Sequence, residues 1–159
     1  MTSPDISLRP AIAEDELFLH AVYASTRAEE LALVDWDECQ KAAFVQMQFT
    51  AQHRYYHENF ADAAFQVVEY NENPVGRLYV QRSLTEIRII DIALLPQYRN
   101  RGIGSWLLGQ LLDEAADAGK RVSIYVERMN PALHLYTRLG FQLVADEGVY
   151  LRMAWTPTT

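Results

Sequence analysis

One stretch limits the folds open to this chain more than any other. An isoleucine-rich run, Glu86 to Leu95, enters the loop Pro96-Gln97-Tyr98-Arg99-Asn100-Arg101-Gly102-Ile103-Gly104. The loop opens onto a segment with Leu108, Leu111, Leu112 and Ala115 at helical spacing, and Asp113, Glu114 and Asp117 facing away from them. The reading is strand, glycine loop, amphipathic helix, with Gly119 placed to end the helix. The first N–H groups of such a helix have no partner inside it, and its dipole adds partial positive charge there. That end is suited to a phosphate. Gly102 and Gly104 let the backbone approach an anion and permit positive φ, and Asn100 tolerates the left-handed region better than most residues. Arg99 and Arg101 add charge, and Ser105 adds a hydroxyl.

Two common phosphate motifs do not fit. The dinucleotide fingerprint needs a third glycine where Leu107 stands, and the P-loop needs Lys-Ser/Thr after its second glycine.

The rest of the chain supplies the elements around this unit. A short extended segment, Asp5 to Arg9, ends at Pro10. Glu14 to Tyr23 reads as a helix with Leu17, Phe18 and Ala21 on its apolar face. Asp35 to His57 reads as a second, with Phe44, Met47, Gln48, Ala51 and Tyr55 recurring on one side. Ala64 to Tyr70 and Val75 to Gln81 form a hairpin about the turn cluster Asn71-Glu72-Asn73-Pro74. Arg121 to Val126 is a strand, and Asn130-Pro131 starts a helix that Gly140 ends. Phe141 to Ala145 and Val149 to Trp155 close the chain as a strand pair. This order predicts an α/β or α+β fold with a mixed sheet. At 159 residues, the whole of 1–159 reads as one domain.

Charge and cysteine count narrow the function. There are 14 basic and 21 acidic side chains, a formal net charge of −7. That argues against nucleic acid as a partner, since such binders carry a basic stripe. It is compatible with a cationic substrate, although solubility is the simpler account of net charge. Cys39 is the sole cysteine, so no internal disulfide forms. No run is long and apolar enough to cross a membrane, and residues 1–5 lack the basic and apolar regions of a signal peptide. The expectation is a cytoplasmic protein with no membrane partner.

Arg99-x-x-Gly102-x-Gly104, after Asp91-Ile92-Ala93-Leu94-Leu95-Pro96, closely resembles the acyl-CoA-binding motif of the GNAT superfamily of N-acetyltransferases. The block Asn130-Pro131-Ala132-Leu133-His134-Leu135-Tyr136-Thr137-Arg138-Leu139-Gly140-Phe141 resembles a second motif of that family, and the element order matches nearly throughout. Asn100 departs from the family's usual glycine. The resemblance implies a central, mostly antiparallel sheet splayed between its fourth and fifth strands and flanked by about four helices. It implies acetyl-CoA as co-substrate and no metal, with transfer to a primary amine of a small molecule or peptide. A homodimer is common in such proteins. Arg99, Asn100, Arg101, Gly102, Ile103, Gly104 and Ser105 would hold the pyrophosphate. Ile92, Ala93 and Leu94 would pair with the pantetheine arm, with a backbone N–H near Leu94 polarising the thioester carbonyl. Asn130 would contact the same arm, and Tyr136 would protonate the departing thiolate. The family's usual basic glutamate matches Arg88 here, which leaves Glu86 as base through water, with Asp91 and Glu127 behind it. A non-catalytic acyl-CoA-binding or sensing module of the same fold is the alternative.

Other residues take plainer roles. His53 and His57, at i and i+4, have metal-ligand spacing but no third ligand in sight. Trp36, Tyr55, Tyr56 and Tyr79 either line an acceptor pocket or simply pack, and Cys39 reads as a small core residue.

Overall fold

The structure, a computed structural model, describes residues 5–158. Its elements are β1 (Ile6–Pro10), α1 (Glu16–Ala32), α2 (Glu38–Asn59), β2 (Ala64–Tyr70), β3 (Asn73–Arg82), β4 (Glu86–Leu94), α3 (Ile103–Ala118), β5 (Arg121–Glu127), α4 (Leu133–Arg138), β6 (Gln142–Glu147) and β7 (Tyr150–Trp155). Short 3-10 turns span Ala13–Asp15 and Pro96–Tyr98. The strands form a seven-stranded sheet in the order β1-β2-β3-β4-β5-β7-β6. β4 and β5 run parallel, while β1–β2, β5–β7 and β6–β7 are antiparallel. The mixed sheet and four helices agree with the fold class read from the sequence.

The chain divides into two compact units. One holds the chain up to Leu78 together with Ile92–Arg99; the other holds Tyr79–Asp91 and the chain from Asn100 onward.

In the first unit, Leu19 and Tyr23 of α1 meet Val45 and Phe49 of α2 and Val67 of β2 in one buried cluster. Each such side chain stabilises the fold by roughly 1.5–3 kcal/mol on burial. Spacing picked out these helix faces only in part: Phe18 packs on the cluster as expected. Leu17 of α1 and Met47 and Tyr55 of α2 are exposed, and Val22, Tyr23, Val45 and Phe49 are buried in their place. Both helices carry apolar residues on more than one side, so periodicity alone admitted two faces; packing on the sheet selects one. α1 also runs nine residues past Tyr23, to Ala32. The β2–β3 turn falls in the expected cluster but is tighter, with β3 already under way at Asn73. Asn71 and Glu72 both adopt positive φ, 51° and 70°, as a two-residue turn matched to strand twist requires. At the start of α1, Arg9 grips Asp15 with two 2.8 Å hydrogen bonds, and Asp15 also accepts the Ile12 N–H. That grip holds the Asp15 carboxyl below the usual carboxylate range, against the opposing effect of burial.

In the second unit, Ile103, Leu107, Leu108, Leu111 and Ala115 form the buried face of α3, and Ile87 and Ile89 share a buried face of β4. Leu112 lies at the margin of the α3 face, half-buried. Gly119, at φ 68°, ends α3 as predicted, and the Lys120 N–H reaches back to the Ala115 carbonyl. The parallel pairing of β4 with β5 runs only from Glu86↔Arg121 to Ile89↔Ile124. Past that row β5 continues to Glu127, still paired with β7. The two parallel strands thus part midway, as the resemblance implied.

Candidate active site

The glycine loop does what its composition suggests. Asn100 sits at φ 59° and Gly102 at φ 85°, left-handed conformations that turn the chain sharply into α3. Gly102 is the N-cap, and the first helical bond is from the Trp106 N–H to the Gly102 carbonyl. The N–H groups of Ile103, Gly104 and Ser105 therefore point out of the helix with no intrahelical acceptor. Gly104 differs from Gly102 in a telling way. Its φ is ordinary, and a methyl group built there would meet only Leu135, at 4.0 Å. The protein's own packing does not demand glycine at 104. Open space in front of unpaired N–H groups suits a phosphate.

The end of β4, in the first unit, is tightly held. The Leu95 N–H donates to the Val75 carbonyl at 2.8 Å, and a side chain at Gly76 would lie 2.3 Å from the Ala93 carbonyl oxygen. Ile92, Ala93 and Leu94 are half-buried. Arg99 does not point freely into the loop: its Nε donates to the Leu94 carbonyl at 3.0 Å and its Nη2 to Ser25 Oγ at 3.3 Å. Arg101 and Asn100 are exposed.

Tyr136 is the most unusual polar group of the second unit. It is 4% exposed on α4, its ring edge-on to Phe141 at 5.8 Å. No hydrogen bond engages its hydroxyl among the described residues. Burial, and then the negative charge of Asp91, push its pKa well above the ordinary phenol value. Asn130 is spent locally: its Oδ1 accepts the Ala132 N–H at 2.9 Å. α4 accordingly begins at Leu133, after the turn made by Asn130, Pro131 and Ala132, rather than at Pro131. Glu86, at the start of β4, accepts a 2.8 Å hydrogen bond from Arg121 Nε.

A cluster that sequence reasoning missed lies on the opposite face of β4 from Ile87, Ile89 and Asp91. The guanidinium carbons of Arg88 and Arg152 stand 5.1 and 6.0 Å from the ring centroid of Tyr125. Arg152 is the cross-strand partner of Tyr125. Strand alternation placed Arg88 on this face, but only the β5–β7 pairing brings Arg152 to it. Two residues along β5, Glu127 lines a cleft of about 430 Å³ with Arg128, Met129, Gly148 and Val149.

The remaining candidates resolve as packing or surface. His53 lies between Phe49 (5.6 Å) and His57 (4.4 Å), and His57 stacks on Phe65 at 4.2 Å. No three His, Cys, Asp or Glu side chains gather to hold a metal among the described residues. Tyr79 is buried, Trp36 packs on Phe44, and Tyr55 is largely exposed. Cys39 is exposed, not a core residue: it sits in the first turn of α2, one residue past Glu38 and away from the buried Val45–Phe49 side. No helix is long and apolar enough to cross a membrane among the described residues.

Comparison with known proteins agrees with this geometry. The model of the acetyltransferase (GNAT) family matches residues 18–141. A ribosomal protein bS18–alanine N-acetyltransferase of Haemophilus influenzae is 33% identical over 75 residues, covering 46% of this chain and 51% of that protein. An L-amino acid N-acyltransferase of Escherichia coli is 44% identical over 53 residues, covering 32% and 31%. The matched region thus spans about half or less of the curated relatives' length. In fold, the chain is similar to the PaiA N-acetyltransferase of Thermoplasma acidophilum, solved in complex with coenzyme A. The TM-score is 0.71 at 18% identity, over 95% of this chain and 98% of that one.

Proposed function

The chain belongs to the acetyltransferase (GNAT) family, and on that footing we propose that it moves an acetyl group from acetyl-CoA to a primary amine, by direct attack within a ternary complex. The observation that carries the reading is Tyr136, a buried phenol whose hydroxyl has no partner and whose proton is firmly held. A protein that only bound acyl-CoA would have no use for a thiol-directed acid whose hydroxyl makes no hydrogen bond of its own.

The residues present fit the co-substrate. The N–H groups of Ile103, Gly104 and Ser105 face space that Gly104 leaves open, so they would receive the pyrophosphate, with Asn100, Arg101 and Gly102 shaping the turn. Ile92, Ala93 and Leu94 would receive the pantetheine arm, and the parting of β4 from β5 supports entry of the acyl group there. Arg99 would brace the loop through the Leu94 carbonyl rather than contact phosphate. Asn130 would fix the turn that sets Tyr136.

Acetyl-CoA brings the thioester that the amine opens. Tyr136 gives its proton to the sulfur as the carbon–sulfur bond breaks, the new amide bond forms at the carbonyl carbon, and the proton that the attacking nitrogen sheds on becoming an amide returns through water to the Tyr136 phenolate. The burial and the Asp91 charge that hold the Tyr136 proton also penalise a bare thiolate beside it. Both groups therefore become more basic together, and the transfer stays feasible. Glu86 is engaged by Arg121 through one oxygen, so the ammonium proton is assigned to solvent before attack. Holding both reactants in one site supplies much of the rate.

The test is thiol release from acetyl-CoA across a panel of primary amines. Amine-dependent release supports transfer. Tight calorimetric binding of acetyl-CoA with no release for any amine would leave the binding module standing instead.

A further inference from the structure

From the approach to α4 we infer that Arg128 and Asp146 are positioning residues for Tyr136: together they tie the tip of the β6–β7 hairpin to the entry of the helix that carries the phenol. This rests on the reading of Tyr136 as the acid of acetyl transfer, and adds what holds that acid in place.

α4 is only six residues long, and a helix so short has little stability of its own. Residues 128–131, which lead into it, are all exposed, so burial does not fix their path. Hydrogen bonds do. The Arg128 backbone N–H donates to the Val149 carbonyl at 2.9 Å. Its guanidinium makes two further bonds to the same turn, from Nε to the Gly148 carbonyl at 3.1 Å and from Nη2 to Asp146 Oδ1. Asp146 Oδ1 also accepts the Gly148 N–H at 3.0 Å, which closes the turn from within. One arginine thus holds the hairpin tip at three points, and one carboxylate oxygen joins the guanidinium to the turn's own backbone.

From this clamp the bonds run on to Tyr136. The Asn130 N–H donates to the Glu127 carbonyl at 2.9 Å, the Leu133 N–H to the Asn130 carbonyl at 3.1 Å and the Tyr136 N–H to the Ala132 carbonyl at 3.1 Å. At the far end of α4 the Phe141 N–H donates to the Tyr136 carbonyl at 3.0 Å, and β6 begins at the next residue. The hairpin therefore grips α4 twice, at its exit through the chain itself and at its entry through Arg128. β6 is paired with β7 from Gln142↔Ala154 to Glu147↔Tyr150, so a tilt of α4 would have to break the clamp or bend the hairpin. The two side chains are half exposed, at 47% and 52%, and a surface ion pair adds little to stability. Its effect falls on placement, where a shift of about 1 Å can cost about a hundredfold in rate.

The experiment uses the full chain, acetyl-CoA and an amine that wild type turns over. Arg128→Gln and Arg128→Lys are made alone and together with Tyr136→Phe. Arg128→Gln should lower kcat about tenfold, with acetyl-CoA affinity, acceptor KM and melting temperature near wild type. Arg128→Lys should recover part of the loss, since an ammonium keeps the charge without the fork that reaches two acceptors. In the Tyr136→Phe background Arg128→Gln should cost less than about twofold, the non-additivity of two residues that act through one group. A full tenfold loss in that background, or a wild-type kcat in Arg128→Gln alone, would overturn the assignment. If Arg128→Gln does not fold, Asp146→Asn carries the same cycle, because it keeps an acceptor for the Gly148 N–H and removes only the charge. If no amine releases thiol, or Tyr136→Phe turns over like wild type, it is the acid reading that fails. The tie is then read by hydrogen exchange at the Tyr136 and Leu139 N–H groups: faster exchange in Arg128→Gln, with β5 unchanged, upholds the hold on α4, and equal exchange removes it.

Discussion

A phenol in water is a weak acid, and Tyr136 has been made weaker still by burial and by Asp91. Its value to the reaction lies in position, since the proton is held throughout and is given up only as the thiolate forms. Tyr136→Phe keeps the ring against Phe141 and removes the proton. We expect kcat to fall at least about tenfold, at the low end for general acid catalysis because water can substitute in part. Acetyl-CoA affinity and melting temperature should hold; wild-type turnover in the variant would make Tyr136 a packing residue. A second residue ties stability to pH. Asp15, held by Arg9 and the Ile12 N–H, has a depressed pKa. A group depressed on folding contributes stability that is present above its unfolded value, about 4, and is lost as pH falls through the folded value. Asp15→Asn should therefore cost about 1–2 kcal/mol at pH 7 in urea unfolding. The gap from wild type should close below pH 4; a constant gap would assign the effect to packing instead.

At the scale of elements, the loop into α3 was the most legible part of the chain and α1 and α2 the least. The reason is local against non-local causation. Gly102, Asn100 and Gly119 act through their own backbone preferences, so each could be placed from neighbouring residues. The buried sides of α1 and α2 depend on which stripe meets the sheet, and Leu17 and Met47 lost that competition to Val22 and Val45. The loop also offers a clean test. Because a side chain at 104 meets nothing closer than Leu135 at 4.0 Å, Gly104→Asp should fold normally. It would place a carboxylate before the unpaired N–H groups of α3, and CoA affinity should fall at least about tenfold. Calorimetry with unchanged affinity in a folded variant would remove this helix end from the site.

For the whole molecule, element order and the mixed sheet followed from the run of predicted strands and helices, and the parting of β4 from β5 from the family resemblance. The Arg88–Tyr125–Arg152 cluster did not, because it needs β7 between β5 and β6, an arrangement that no single segment encodes. Asp91 near Tyr136 was hidden for the same reason. Acid stability is likewise a property of the assembled chain. His57, at the end of α2, stacks on Phe65 of β2 and lies against His53. Burial first, then the His53 charge, lowers its pKa. The folded state therefore favours neutral His57, and stability should decline as pH falls below the unfolded value of about 6.5. His57→Phe keeps the stack and removes the titration, so the loss of unfolding midpoint between pH 7.5 and 5.5 should shrink. An undiminished loss would point to other groups.

The exposed thiol of Cys39 has a practical reach beyond its own helix. Any disulfide reagent used to follow CoA release will also react with the enzyme, giving a burst of one equivalent per chain that is independent of amine. In air, two such chains can join covalently and pass for a native dimer on a sizing column. Cys39→Ser should abolish both the burst and any dimer that reductant dissolves, while leaving turnover intact. A dimer that survives the replacement would be held by the surface of the fold itself.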